Sequence, residues 1–235
     1  TRARSYHKAK APTSQIAWTA RLGPIKWLLV WKIKSFFCSP RDELTWLKLQ
    51  HRNLWVANRD PSISDPTCNA RGCTDAESMM HLASCRFIQW DFWMPLLKLM
   101  ETLGMRTRRN PNGSANLPFL ILGKIEYTKH VDTEEAGILF LAWRCLYAEI
   151  VRARLENTHL HTRKAYARTL QLLISRLKAN GTYWYKWYSR TKGTTHPKQF
   201  PKRYQNRKLL QTNNTAQFKI NPIILKELHK VRTNL

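Results

Sequence analysis

Acidic residues are scarce in this sequence: 15 Asp and Glu stand against 40 Lys and Arg, for a formal net charge of +25 and a pI near 10.4. A chain with that much self-repulsion needs a polyanion beside it, most simply nucleic acid, less simply an anionic membrane surface. Long apolar runs are also missing. The strongest, Trp27 to Trp31, is far short of the roughly 20 residues that cross a bilayer, so no membrane span is expected. No signal-peptide hydrophobic region precedes a small-residue cleavage site. Walker loops, Gly-x-Ser-x-Gly and His-Glu-x-x-His are absent, which predicts no enzymatic activity and no small-molecule substrate. The first residue is Thr1 rather than methionine, as in a processed form or a fragment.

What is present is ordinary globular material, 43% hydrophobic and 23% charged over 235 residues, enough for a core in one domain or two small ones. Three of the five cysteines fall close together with a histidine: Cys68, Cys73, His81 and Cys85, spaced C-x4-C-x7-H-x3-C. Gly72 lets a tight loop present the first two thiols, and a helix places His81 and Cys85, four residues apart, on one face. Thr74 and Glu77 have capping-box spacing for the start of that helix. The set predicts a tetrahedral structural zinc site, because four protein ligands leave no position for a reactive water. The alternatives are buried free thiols, or a disulfide with a spare cysteine. The zinc deaminase pattern is absent. Cys38 and Cys145 sit in apolar surroundings and read as packed core thiols. Cysteines arranged for metal point to a reducing compartment.

Residues 42–93 resemble the zinc-binding domain near the C-terminus of non-LTR retrotransposon reverse transcriptases. The resemblance is carried by the run Asp42 to Leu54 with its Leu-x-His-Arg-type segment at Leu49–Arg52, by Glu77-Ser78-x-x-His81-Leu82-x-x-x-Cys85, and by Trp90 and Trp93. The segment Leu139–Arg154 looks like a helix that often follows in such proteins, so the likeness covers about residues 36–156. It implies a zinc-pinned helical module that grips nucleic acid. The Tyr/Phe-x-Asp-Asp polymerase stretch is absent, and Asp60-Pro61 and Asp65-Pro66 are reversed relative to the nuclease motif of some of these elements.

The expected fold is mainly α: a small zinc-stabilised helical body with extended basic N- and C-terminal tails. Its expected segments are a basic arm and helix (1–35), a zinc domain (36–103), a linker (104–132), a helical hairpin (133–180) and a basic aromatic tail (181–235). Pro24 opens a helix through Phe36, and Ser39 and Asp42 open a second, with Leu44, Leu47, Leu54 and Trp55 as its apolar stripe. An aromatic helix runs from Cys85 to about Leu103, with a possible kink at Met94-Pro95, and Gly104 stops it. Leu117–Gly123 is too short to type by period and reads as a brief strand or buried turn. Asp132 to Glu135 start a helix reaching Leu155, and its partner runs from Leu160 to Lys178, ended by Asn180-Gly181. Pro222 opens a last short helix whose Ile224, Leu225 and Leu228 can dock on the body.

Basic residues cluster in three places. The first 41 residues hold nine Lys and Arg and no acid, a bias shared by organelle transit peptides and RNA-binding tails; Arg2, Arg4, Lys8 and Lys10 form its arm. Arg106, Arg108 and Arg109 sit in one loop, as either a solvated turn or a phosphate contact. From Asn157 through Lys226 there is no acid, and the stretch carries Arg163, Lys164, Arg168, Lys186, Arg190, Lys192, Lys198, Lys202, Arg203, Arg207 and Lys208. Within it Tyr183, Trp184 and Trp187 either pack in the core or stack on unpaired bases. Residues 191–214 have too little apolar content to fold without a polyanion. These features predict a structural RNA-binding protein of a ribonucleoprotein particle, with ribosomal RNA and neighbouring ribosomal proteins as partners in a mitochondrial ribosome. The alternative is the nucleic-acid-binding part of a working retrotransposon reverse transcriptase. A sequence-specific DNA-binding factor fits less well, because the spacing is not that of a two-histidine finger.

Overall fold

The computed structural model describes residues 13–191, 208–212 and 218–233, and only the backbone of 181–191, 211–212 and 218. The described chain is mainly helical. In order, it runs α1 (Thr13–Leu22), α2 (Trp27–Val30), α3 (Pro40–Gln50), α4 (Met79–Ser84), α5 (Arg86–Ile88), a π-helical turn (Gln89–Trp93), α6 (Met94–Thr102), α7 (Leu117–Leu122), α8 (Thr133–Leu155) and α9 (Thr162–Thr191). A short antiparallel pair, β1 (Leu210–Thr212) and β2 (Phe218–Ile220), precedes α10 (Pro222–Thr233), with Gln211 opposite Lys219. No described helix is long and apolar enough to cross a membrane.

Helix α8 is the centre. Asp132 caps it, accepting from the amides of Glu134 and Glu135, while the Glu135 carboxylate returns to the Asp132 amide at 2.7 Å. Its residues Ile138, Leu139, Leu141, Ala142, Trp143 and Leu146 are buried almost all round, because α3 and α9 both pack against it. Trp143 packs against Trp93 with ring centroids 5.0 Å apart and planes tilted by 55°, and donates to the Leu120 carbonyl at 2.8 Å, tying α8 to the π-helical turn and to α7. That turn ends at Trp93, two residues before Pro95, which has no amide to donate and sits in the first turn of α6.

Several expectations need correction. Leu44 and Leu47 are exposed, whereas Trp46 and Leu49 of the same helix are buried, with Trp46 edge-on to Phe140 at 5.3 Å. The start of α3 was legible, since Ser39 and Asp42 form a capping box there, but which side faces in depends on where α8 lies. Pro24 lies outside any helix, the helix expected from it through Phe36 is only the single turn of α2 capped by Lys26, and Thr13–Leu22, expected in part as an arm, is helical. Leu117–Leu122 is a helix, capped by Asn116 and closed by Gly123 at φ +59°. Within the expected linker 104–132, Phe119, Leu120, Ile121 and Leu122 are buried in the main core. Helix α9 runs through Asn180-Gly181 to Thr191, with the Asn180 side chain donating to the Phe36 carbonyl. From the C-terminal segment, α10 packs on α6 and α9, with Ile224 buried and Leu225 exposed.

Five of the 15 acids are buried: Asp42, Glu77, Glu134, Glu135 and Glu149. Each is held by donors. Asp42 pairs with Arg144 and Arg176, Glu149 with Arg152 and Arg168, and Glu77 with Arg154. Glu134 accepts from the amides of Lys208 and Leu209, and Glu135 from that of Arg106. The few negative charges therefore serve as internal ties between elements. Glu134 and Glu135 have structural employment, as expected of helix-start charge.

Candidate metal centre

The segment 66–77 folds back on itself. Thr67 bridges Ala76, the Cys68 amide donates to the Asp75 carbonyl at 2.8 Å, and Gly72 turns the chain at φ +81°. The Cys73 amide closes that turn on the Ala70 carbonyl at 2.9 Å. Cys68 and Cys73 are thus presented from a tight hairpin. His81 comes from α4 and Cys85 from the junction of α4 and α5. Helix α4 begins four residues later than its expected box would place it, with Ser78 rather than Thr74 at the cap. Ser78 accepts from the His81 amide at 3.0 Å, and Glu77 instead turns inward to the Ala57 amide and Arg154.

The four ligand atoms lie within 4.8 Å of one another, in a set that can hold a metal ion. Cys73 Sγ is 3.3 Å from His81 Nε2 and 3.8 Å from Cys85 Sγ, and none of the cysteines forms a disulfide. Cys68 and Cys85 are buried, and the His81 side chain is 11% exposed, so the cluster is closed to bulk water on most sides. The other ring nitrogen of His81 faces Asp75 at 3.7 Å, a carboxylate placed to orient the imidazole.

The electrostatics favour an ionised sulfur at Cys85. A hydrogen bond from Cys68 pulls the Cys85 thiol down to about 3, against its burial, and His81 and the amides of Ile88 and Phe87 add to the effect. The same bond, with burial, raises Cys68, and burial raises Cys73. The hydrogen bond with Cys85 raises His81. A thiolate is the metal-ligating form of cysteine, and here the fold supplies donors that stabilise it.

The hairpin is clamped to the body by the far end of α8. Arg154 donates to the Asp65 and Thr67 carbonyls, Asn69 donates to the Thr158 carbonyl at 3.2 Å, and the Leu160 amide donates to the Asn69 carbonyl at 2.8 Å. Cys38 and Cys145 stand apart from the cluster. Burial pushes Cys38 up to about 12 and raises Cys145, as expected of packed thiols.

The basic candidates divide. Arg109 is gripped by both oxygens of Glu101 at 2.8 and 2.9 Å, Arg108 donates to the Ile125 carbonyl, and Arg106 is exposed. Lys208 lies beside Glu135 at 3.4 Å, an internal tie rather than a surface cation. Arg163 is mostly exposed though near Asp91, Arg168 is close to half-exposed beside Glu149, and Lys164 is exposed. Arg2, Arg4, Lys8, Lys10, Lys192, Lys198, Lys202, Arg203 and Arg207 lie outside the described residues. Lys186, Arg190, Tyr183, Trp184 and Trp187 lie on α9, where the backbone alone is described.

Trp90 was expected among the apolar residues of the aromatic helix. It is 76% exposed, between clefts of about 440 and 490 Å³ that also carry Lys98, Arg163 and Lys230. Its sequence neighbours Phe92 and Trp93 on the same π-helical turn are buried. No family model, curated protein or solved structure matches this chain.

Proposed function

We propose that this chain is a non-catalytic RNA-binding protein whose Cys68, Cys73, His81 and Cys85 hold a structural zinc ion. Tetrahedral zinc with sulfur bonds of about 2.3 Å sets its sulfurs about 3.8 Å apart, and the Cys73 to Cys85 separation is 3.8 Å. Three sulfurs and an imidazole suit zinc, and a full protein ligand set gives the metal a folding role. The observation that carries the RNA reading is the distribution of charge. A chain of net charge +25 turns five of its 15 acids inward, which leaves a predominantly basic exterior.

The particle we propose is a ribonucleoprotein, with ribosomal RNA and neighbouring ribosomal proteins of a mitochondrial ribosome as partners. The acid-free basic stretches of the sequence support this, since closely packed phosphates screen cations that otherwise repel one another. A second reading, the nucleic-acid grip of a retrotransposon reverse transcriptase, is favoured by the Glu-Ser-x-x-His-Leu-x-x-x-Cys stretch. Here Ser78 caps α4, Leu82 is buried, and His81 and Cys85 enter the cluster.

Gradient sedimentation of a native extract, with and without ribonuclease, tests both. Co-migration of a 27.7 kDa chain with ribosomal subunits, abolished by ribonuclease, supports the first reading. A much larger polypeptide carrying polymerase peptides supports the second. Direct binding to RNA through about ten phosphates predicts a slope of log affinity against log salt near −7 to −9, and a flat dependence overturns the RNA reading itself.

A further inference from the structure

A cavity of about 280 Å³ opens between α1, the end of α3 and the start of α4, and its lining includes Trp18, Arg21, Arg52, Asn58, Arg59 and Ser78. Three guanidinium-bearing residues line it and no carboxylate does. The nearest acids in sequence are committed elsewhere. Asp60 accepts from the Trp55 indole and from Ser62, and Glu77 is held by Ala57 and Arg154. Arg59 donates to the Arg52 carbonyl, which holds these two residues together. None of the three arginines forms an ion pair within the described residues, as is also true of Arg41, Arg71, Arg86, Arg106, Arg108 and Arg232, but these three line one cavity.

Arg52 carries a second, independent sign. It follows α3 at φ +53°, a left-handed position that favours glycine or asparagine and costs other residues on the order of 1 kcal/mol. Its guanidinium lies over the indole of Trp18, 5.9 Å from the ring centroid, and Trp18 is itself fixed by a 2.9 Å bond from Nε1 to the Gln50 carbonyl. An arginine occupies a backbone position suited to glycine, its head lies over an indole, and Arg21 and Arg59 line the same cavity. Planar forks of this kind match the oxygens of a phosphate.

We infer that Arg21, Arg52 and Arg59 form a binding site for one phosphate group, a phosphodiester of a bound single-stranded nucleic acid. This rests on the RNA reading above and gives it a location outside the basic tails. The cavity is polar and half-open, with room for a phosphate and its hydration, and its arginines supply charge and directed donors with no carboxylate in the lining to neutralise them.

The deciding variant is Arg52→Gly. Glycine accepts φ +53° at no steric cost, so the fold is retained while the guanidinium is removed. Binding of a fluorescein-labelled uridine oligonucleotide is measured by anisotropy across a salt series, for wild type, Arg52→Gly and Arg59→Gln, with thermal melting of each protein. The expected result is an affinity about fivefold to tenfold weaker in each variant and a salt slope shallower by about 0.7, with the melting temperature of Arg52→Gly at or near that of wild type. Wild-type affinity and slope in both variants overturn the inference while leaving RNA binding in place. If wild type fails to bind the oligonucleotide, the RNA reading falls, and melting with inorganic phosphate then decides the site. Stabilisation of wild type but not of Arg52→Gly keeps a phosphate site fed from another source, and no stabilisation of either overturns the inference as well.

Discussion

Arg154, in the last turn of α8, and Glu77, the residue before the cap of α4, form an ion pair of 3.3 Å between Nη2 and Oε2, and Glu77 is buried. The same guanidinium donates to the Asp65 and Thr67 carbonyls, so one side chain joins the long central helix to both strands of the metal-site hairpin. Arg154→Met leaves Glu77 buried with only the Ala57 amide as partner. Breaking such a pair from one side costs about 3 kcal/mol, and a urea midpoint lower by about 1 M is the expected reading. The double variant with Glu77→Gln should recover part of the loss, because no uncompensated charge then remains.

Removing the metal should loosen the site locally. Residues 66–88 carry all four ligands, and their hairpin, 66–77, is held chiefly by the cluster and the clamp, although Met79, Leu82, Ala83 and Ile88 share the main core with Phe92, Trp93, Leu96 and Leu97. Chelation is therefore expected to raise hydrogen exchange across 66–88 and leave α8 and the first half of α9 protected. Cys73→Ser or His81→Ala should do the same without abolishing RNA binding by other parts of the chain. Exchange in 66–88 that is indifferent to chelation argues against a resident metal.

Asp42 gives a pH signature. Burial opposes its ionisation, but the Ser39 amide and hydroxyl and the Arg176 guanidinium outweigh burial and hold its carboxyl below the ordinary 3.8. A lowered folded value means that the stabilisation is present above 3.8 and is lost as pH falls through the folded value. Asp42→Asn should lower the urea midpoint at neutral pH, with the gap to wild type constant down to about pH 5 and closing below 3.8. The metal site is common to both proteins and cancels in that difference.

Gly137 sits inside α8, where alanine is ordinarily better by about 1 kcal/mol. A Cβ there would stand 2.2 Å from Phe37 Cζ and 2.4 Å from Ser35 Oγ. Phe37 is buried and has little room to retreat, so overpacking of about 1–3 kcal/mol wins over the propensity gain. Gly137→Ala should therefore lower the melting temperature.

Trp90 is exposed between clefts that carry Lys98, Arg163 and Lys230 along with Asp91 and Glu227, and a stacking role predicts that Trp90→Ala weakens single-stranded RNA binding by about 1–3 kcal/mol per stacked base. Because the ring is 76% exposed, the melting temperature should be unchanged. Anisotropy titration beside a thermal melt separates the two effects, and equal RNA affinity would exclude the ring from the interface.

By itself the sequence determined what short-range chemistry decides. Cys68, Cys73, His81 and Cys85 converge because a turn at Gly72 and a single helical turn span all the distances involved. The starts of α3 and α8 were legible because a capping box needs only four consecutive residues, Ser39 to Asp42 and Asp132 to Glu135. Tertiary structure decided whatever depends on a distant partner. Leu44 and Leu47 match Trp46 and Leu49 in apolar character, and only the place of α8 turns the latter pair inward. Leu117–Leu122 has no readable period because it is covered on all sides, and α9 passes through Asn180-Gly181 although that pair is an ordinary helix stop. Arg21, Arg52 and Arg59 come from three separate stretches, and no spacing within a sequence records that folding brings them to one cavity.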